Sequence, residues 1–308
     1  MAFVLSDLLV SPITGPSETA DVRKVPVGPL KLEDAIRPPT NLYTTKAPHT
    51  ATILSVRQIS GPSCADKIYE IIFDHRGFMS YKEGQAFGVM VPNADNPFVP
   101  GCAEGLRTIF SASSRYGDYF NGRTTTILVK LNKYDETLRN LCNARRGYHL
   151  QLTGPSLEAT LLGDYSPTAT HIFVAQSGAS IGPFRAHIRR FFKEVIPTFK
   201  FSGQVWLFYG RKDQPQPDCR IYNDEFEQYQ EDYPRNFHYY FYNDILSQNL
   251  AGTVINLLTK NGAYIYLVGP HGMVDNADTT FTNIDPHWPI QKPILVEKNQ
   301  WRVQDDDY

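Results

Sequence analysis

The alternation of apolar and polar residues divides the chain into two regions with different periods. From Thr50 onward, short β-branched or alternating runs are separated by Gly and Pro. These runs predict strands over residues 51–59, 67–73, 85–91, 124–131 and 149–152. Several short strands joined by Gly-rich turns are typical of an antiparallel barrel. The pattern therefore predicts a β-barrel domain over residues 48–160.

Beyond Gly154-Pro155, apolar runs of strand length alternate with segments of helical spacing. The spacing predicts strands over residues 171–175, 204–209, 236–242 and 263–268, and helices over residues 184–195, 223–232 and 244–260. Strands that alternate with helices imply a parallel sheet with right-handed crossovers. We therefore predict an α/β domain over residues 161–308.

Residues 1–47 differ from both regions. They are rich in proline and show no sustained period. Such a segment lacks the apolar area to fold alone. We interpret it as a tail that is extended or lies on a partner.

Composition narrows the class of protein. The 308 residues are 42% hydrophobic, enough for two domains with separate cores. The net charge of −2 creates no global field toward nucleic acid or anionic lipid. No apolar run reaches the roughly 18 residues that span a bilayer, and Asp7 interrupts the N-terminal apolar run, which argues against a secretory signal.

The four cysteines, Cys64, Cys102, Cys142 and Cys219, are scattered and form no C-x-x-C pair. This spacing predicts neither a metal site nor a redox dithiol. We expect reduced thiols in a reducing compartment, the cytoplasm or the plastid stroma.

Ordered motifs carry a family resemblance. They are Tyr81-Lys82-Glu83-Gly84-Gln85, Leu106-Arg107 with Ala112-Ser113-Ser114, Leu152-Thr153-Gly154-Pro155, Ile181-Gly182-Pro183-Phe184-Arg185, residues 205–210, Tyr222 with Glu225-Phe226, residues 264–269 with Gly272-Met273, and Gln300-Trp301 near Tyr308. Over residues 50–308 the chain resembles plant-type ferredoxin–NADP reductases. The resemblance implies an FAD-binding barrel followed by an NADP-binding α/β domain.

The resemblance places the flavin on a barrel strand with an Arg-x-Tyr-Ser motif. Without a gap, Arg107 matches the arginine that pairs with the pyrophosphate, while Ile109 and Phe110 replace the tyrosine and serine. A one-residue shift gives Phe110 and Ser111 as the aromatic and catalytic hydroxyl residues, and needs a β-bulge to keep Arg107 on the same face. Both alignments remain open, beside the simpler interpretation that these residues only form strand core.

Two further flavin elements are altered. A Cys-Ser-Asn turn that caps the pyrophosphate in the family matches residues 137–139, where Thr137 is the candidate cap. The terminal Tyr308 matches a family tyrosine that stacks on the flavin, so it is a second catalytic candidate. Three aspartates directly precede it, at 305–307, which also suits a solvated acidic tail.

The nucleotide motifs are also mixed. The family's glycine-rich phosphate loop matches residues 176–183, which retain Gly178 and Pro183, offer Ser177 in place of a threonine, and carry Ser180 in place of a glycine. Lys130 matches a family lysine near the phosphates, and Gly269 follows Val268 where the family has Cys-Gly.

At the 2′-phosphate position the chain has Asn243-Asp244, and an aspartate there favours NADH over NADPH. Arg211 and Lys212 could offset its charge or remain solvated loop residues.

Two functions stay open from the sequence. The first is a flavoprotein oxidoreductase that passes electrons between NAD(P)H, FAD and a ferredoxin-like carrier. The second is an inactive pseudo-reductase, a structural subunit of a larger assembly reached through the N-terminal tail; a nucleotide sensor is a third, lesser idea. A ferredoxin-like partner needs a basic face, for which the sequence offers Lys46, Lys82, Arg107, Arg115, Arg123, Arg145 and Arg146.

Overall fold

A computed structural model describes residues 40–92, 101–102, 104–156, 160–162, 166–194, 199–210, 216–241, 248–270, 272–298 and 300–305. Within them lie two sheets. The first contains six antiparallel strands, β1 His49–Gln58, β2 Ile68–Asp74, β3 Ala86–Met90, β4 Arg107–Phe110, β5 Thr124–Lys130 and β6 His149–Ser156, in the order β4-β3-β6-β1-β2-β5.

The two edges of this sheet meet. Ser111, directly after β4, forms a bridge with Ile127 of β5, and the Ala112 N–H donates to the Thr126 carbonyl at 2.7 Å. The sheet thus closes around a core that includes Phe73, Phe87 and the helix α1, Glu136–Asn143. The predicted antiparallel barrel is confirmed.

The second sheet is parallel, with strands β7 Thr170–Ala175, β8 Gln204–Tyr209, β9 Phe237–Phe241, β10 Tyr264–Gly269 and β11 Trp301–Asp305 in the order β11-β10-β7-β8-β9. Its helices are α2 Ile181–Phe192, α3 Asn223–Asp232, α4 Gln248–Asn261, α5 Met273–Ile284 and α6 Trp288–Glu297. This is a doubly wound sheet whose strand order reverses between β7 and β10.

Strand β7 shows why the sheet needs helices on both faces. Ile172 and Val174 point into a core with α4 and α5, whereas Phe173 and Ala175 point into a core with α2 and α3. All four are buried, as expected for a central parallel strand. The predicted α/β fold is confirmed, and α5, α6 and β11 add to the predicted elements.

The chain passes from one sheet to the other between Ser156 and Thr170, and we keep the proposed domain boundary after residue 160. Of the proposed tail, residues 1–39 lie outside the described part. Residues that follow are attached to the barrel, since the Tyr43 and Asn41 N–H groups donate to the carbonyls of Gly154 and Pro155.

Cys64 and Cys219 form a disulfide with a Cα–Cα distance of 5.5 Å. The prediction of four reduced thiols is therefore wrong for this pair. The two residues are 155 positions apart and meet only because the sheets dock against each other. Cys102 and Cys142 are free thiols.

Buried charges join the two domains. From α2, Arg185 and Arg189 reach Asp118 of the barrel side at 3.2 and 3.1 Å, and both also pair with Glu225 of α3. Burial alone would raise the pKa of Asp118, but the two arginines and the Thr126 hydroxyl lower it to about 2. A carboxylate held in this way contributes to stability only while it is ionised.

We predict an acid-sensitive domain contact. The folded-state pKa of Asp118 lies below its ordinary 3.8, so its contribution of ~2 kcal/mol is complete above pH 4 and is lost as the pH falls toward 2. Asp118→Asn should lower the free energy of unfolding at pH 7 by ~3–5 kcal/mol, because it leaves two buried arginines with one carboxylate. Urea unfolding at pH 7 and pH 3 measures both effects.

The control is Asp74→Asn, which removes an exposed pair with Arg123 and should change stability by less than ~1 kcal/mol. Equal effects of the two substitutions would contradict the special role of Asp118.

Candidate functional site

Two neighbouring cavities open where the barrel faces the carboxyl ends of β7 and β10. The apolar pocket, about 400 Å³, is lined by Ile109, Phe110, Leu128, Val129, Lys130, Leu138, Ala179, Ser180 and Val268. The polar cleft, about 330 Å³, is lined by Ser60, Cys64, Asp66, Ile68, Ser177, Gly178, Tyr209, Gly210, Cys219, Ile221 and Phe241. In doubly wound sheets, ligands bind in this crevice beside the strand-order reversal.

Lys130 lies between the cavities. It belongs to the lining of the apolar pocket, and its Nζ is 3.1 Å from the carboxylate of Asp66, which lines the polar cleft. The lysine sits at the end of β5 because that strand runs out of the barrel core at this point. The Lys130–Asp66 ion pair thus links the two cavities, with the ammonium group at the apolar pocket and the carboxylate at the polar cleft.

Strand β4 forms the barrel wall of the apolar pocket. Its pairs with β3, from Ala86–Phe110 to Val89–Arg107, follow one another without a bulge. The bulge invoked for the shifted alignment is therefore absent from this pairing. Phe110 lines the pocket, whereas Ser111 is fully buried and donates its hydroxyl to the Ser113 carbonyl at 2.7 Å.

Arg107 is already paired with an anion. Its Nε lies 2.5 Å from Oδ2 of Asp135, the residue that caps α1. The other oxygen of Asp135 accepts the Leu138 N–H at 3.0 Å. The Asp135 carboxylate thus pairs with an arginine and also accepts a hydrogen bond at a helix N-terminus. These are the two kinds of group that attract a phosphate.

The predicted cap residue Thr137 is the second residue of α1, and its hydroxyl donates to the Gly105 carbonyl at 2.7 Å. Sequence reasoning missed Asp135. An aspartate that directly precedes a glutamate and the apolar positions of a helix is an N-cap signal that could have identified it.

The turn between β7 and α2 is closed by its own hydroxyls. The Ser177 N–H donates to Oγ of Ser180 at 2.8 Å, and the Ser180 N–H donates to Oγ of Ser177 at 3.1 Å. The Gly182 N–H bonds the Ala179 carbonyl at 3.0 Å, and Pro183 follows in the first turn of α2. Ser180 therefore stabilises the turn that the family builds with glycine.

Glycines bring this turn close to its surroundings. A Cβ on Gly178 would lie 2.7 Å from Cγ1 of Ile68 on the barrel and 3.1 Å from Ile221. A Cβ on Gly269 would meet the Met273 sulfur and Cβ of Gln176. Gly178 thus sets the distance between the two walls of the polar cleft, and Gly269 sets the distance between β10 and the turn.

Tyr209 is buried in the wall of the polar cleft. Burial raises the pKa of its hydroxyl, so the hydroxyl stays protonated.

The remaining predicted residues fall outside this geometry. Tyr308, Asn243, Asp244, Arg211 and Lys212 all lie outside the described residues, so their roles stay predictions.

Of the basic residues proposed for partner docking, Arg115 and Lys82 are buried, and Arg115 is bonded to Glu83. Both are therefore wrong as exposed docking groups. Arg145 and Arg146 are exposed.

Comparison with known proteins agrees with this architecture. The family described as "Oxidoreductase NAD-binding domain" matches residues 174–279. The chloroplastic ferredoxin–NADP reductase root isozyme 1 of Arabidopsis thaliana is 36% identical, over 91% of this chain and 81% of that protein. The chloroplastic root-type isozyme of Nicotiana tabacum is 35% identical, over 93% and 83%.

A solved ferredoxin-NADP+ reductase from Plasmodium falciparum superimposes with a TM-score of 0.67 at 19% identity, over 86% of this chain and 99% of that chain. At this identity the likeness supports the two-domain fold alone.

Replacing Gly178 should show how tightly the two cavity walls are packed. We expect Gly178→Ala to lower the free energy of unfolding by ~1–3 kcal/mol, because the added methyl meets Ile68 in a filled space. The matched control is Gly252→Ala in α4, where a Cβ would have open space and should raise helix stability by up to ~1 kcal/mol. Thermal or urea unfolding measures both; a neutral Gly178→Ala would contradict the close packing.

Proposed function

Because the chain belongs to the ferredoxin–NADP reductase family, we propose that it is a flavoprotein oxidoreductase that passes electrons between NADP(H), FAD and a ferredoxin-like carrier. The observation that carries the proposal is the pair of adjoining cavities. A flat ring system suits the apolar pocket, a dinucleotide suits the polar cleft beside the Ser177–Gly178 turn, and the Lys130–Asp66 pair stands between them.

The residues fit FAD unevenly. At the ring end, Ile109, Leu128 and Val268 offer apolar walls and Phe110 offers an aromatic face. At the phosphate end, Arg107 and the N-terminus of α1 have the right chemistry, but Asp135 holds both. The site can therefore hold FAD if the FAD pyrophosphate replaces the Asp135 carboxylate as the partner of Arg107.

When bound, FAD supplies the exchange of a hydride with the nicotinamide and of single electrons with the carrier. The protein contributes position and environment. Ile109 and Val268 exclude water from the end of the pocket that would hold the flavin ring. Because residue 268 is a valine, this end of the pocket carries no thiol at that position. Lys130 places a positive charge next to both ligands, and Arg107 orients the phosphates.

The turn after β7 and the start of α2 supply the nucleotide end of the site. Ser177 and Gly178 line the polar cleft, and Gly178 lets the turn pack closely against Ile68 and Ile221. Pro183 lies in the first turn of the helix that follows this turn. Gly269 leaves room for Gln176 at the start of the turn.

The relatives favour a reductase over the pseudo-reductase, since the two plant proteins are named as reductases. Their chloroplastic names favour the plastid stroma as the compartment. No helix among the described residues is long and apolar enough to cross a membrane. A larger assembly reached through residues 1–47 stays a prediction.

The purified protein should carry one FAD per chain, which is detected by the flavin absorbance spectrum. Denaturation should release this FAD. When NADH and NADPH are each added and the flavin absorbance is followed, NADH should reduce the flavin at least as readily as NADPH, since an aspartate at position 244 favours NADH. A colourless protein that takes up no added FAD would contradict the proposed function.

Asp135→Asn should increase the affinity for FAD by about tenfold, because the amide retains the helix cap but releases the charge on Arg107. Fluorescence titration of the cofactor-free protein with FAD gives the two dissociation constants. Asp74→Asn, remote from the pocket and also paired with an arginine, should leave the affinity unchanged. A weaker affinity in Asp135→Asn would mean that the carboxylate supports the cofactor site instead of competing for it.

A further inference from the structure

The Cys64–Cys219 disulfide connects opposite walls of the polar cleft. Cys64 belongs to the loop between β1 and β2 of the barrel, and Cys219 ends the short 3₁₀ turn Pro217–Cys219 that precedes α3. Both cysteines line the cleft together with Ser177 and Gly178 of the β7–α2 turn. The bond therefore fixes the width of the cavity in which we place the dinucleotide.

Without the bond, the loop and the turn are held together at this point by weaker contacts. The Gly61 N–H donates to the Asp218 carbonyl at 2.9 Å, and the Ser63 N–H donates to the Asp218 carboxylate at 3.0 Å. The Asp218 side chain is exposed, so water competes for these hydrogen bonds. Opening the disulfide leaves a contact that solvent can break.

The loop keeps its own shape independently of the bond. The Nζ of Lys67 donates to the carbonyls of Pro62 and Cys64 at 3.1 and 2.9 Å. The loop can therefore move as a unit when it separates from the turn.

The domains stay docked when the disulfide is open. Arg185 and Arg189 hold Asp118 and Glu225 in the buried interface, and the Tyr222 hydroxyl donates to Glu70 at 2.6 Å. None of these contacts passes through either cysteine. Reduction should thus change the rim of the cleft without unfolding the protein.

The compartment adds a reason to regard the bond as reversible. In reducing compartments, disulfides are usually transient and regulatory. The two other thiols are poor competitors for exchange at this bond, because Cys142 is buried, which raises its pKa to about 12, and Cys102 lies on the barrel outside the cleft lining.

We propose that the Cys64–Cys219 disulfide is a redox switch on the polar cleft: reduction releases the loop from the 3₁₀ turn, and the cleft then admits a pyridine dinucleotide more readily. In the oxidised protein the bond holds the two walls of the cleft together at Cys64 and Cys219. The inference rests on the proposed nucleotide-binding function.

The chemical step is thiol–disulfide exchange with a dithiol reductant. A reductant thiolate attacks one of the two sulfur atoms, the Cys64–Cys219 bond breaks, and a mixed disulfide forms. The second thiol of the reductant then displaces the protein sulfur. Two electrons pass to the protein, the reductant leaves as a disulfide, and Cys64 and Cys219 each end as a thiol.

The test measures NADP+ binding to the full chain by isothermal titration calorimetry after treatment with diamide or dithiothreitol. We expect reduction to tighten binding by about tenfold, within the usual range of coupling between two sites. The variant Cys64→Ser with Cys219→Ser should bind like the reduced protein in both conditions. Cys102→Ser should retain the full redox response.

Mass spectrometry of alkylated protein reports the state of the bond. A diamide-treated protein with four free thiols would overturn the proposal, as would equal NADP+ affinities of protein with the bond shown closed and open.

Amide hydrogen exchange tests the redox switch independently of nucleotide binding. Faster amide exchange over residues 59–67 and 216–222 on reduction supports the switch even if neither redox state binds NADP+, a result that would refute only the proposed nucleotide binding. Unchanged exchange in both segments would overturn the switch, whatever the nucleotide affinity.

Discussion

The contact on which the rest of the structure depends is the buried group formed by Arg185, Arg189, Asp118 and Glu225. Two guanidinium groups and two carboxylates leave water together, and their charges cancel. Such a group adds little net stability over an apolar contact, but removing one member is costly. It therefore acts mainly on specificity, since only one docking of α2 against the barrel satisfies all four charges.

Both cavities are consequences of that docking. The apolar pocket takes its walls from β4 and β5 of the barrel, the turn after β7 and the end of β10, and the polar cleft combines the β1–β2 loop with the ends of β8 and β9. Neither domain contains either cavity alone. The shape of both cavities therefore depends on how the two domains dock.

Within this frame, the chain replaces ligand contacts by contacts with itself. Asp135 supplies to Arg107 the negative charge that a phosphate would bring, and the hydroxyls of Ser177 and Ser180 satisfy N–H groups in the β7–α2 turn. These internal partners stabilise the folded site, because unpaired charges and N–H groups would cost free energy. The same contacts have to be exchanged when a ligand binds, so they set its affinity.

The two-domain architecture follows from local patterns in the amino-acid sequence. Periodicity distinguishes strands of the barrel from the strand–helix alternation of residues 171–268 because burial of a face imposes a local period on each element. The family resemblance, carried by motifs a few residues long, predicted Arg107, Lys130 and Gly178 as site residues, and Lys130 and Gly178 line the two cavities. The helix cap Asp135 was within reach of the same local rules, since an N-cap acts on the next three residues.

Which distant residues meet depends on how the folded elements pack against each other. Cys64 and Cys219 are 155 residues apart and have no spacing that marks a pair, and their bond follows from the docking of the two domains. Likewise, nothing local shows that Arg115 turns inward to Glu83 or that Asp66 takes Lys130 as its partner. Ion pairs and disulfides depend on distances of a few ångströms between separate elements, and those distances exist only once the elements have packed.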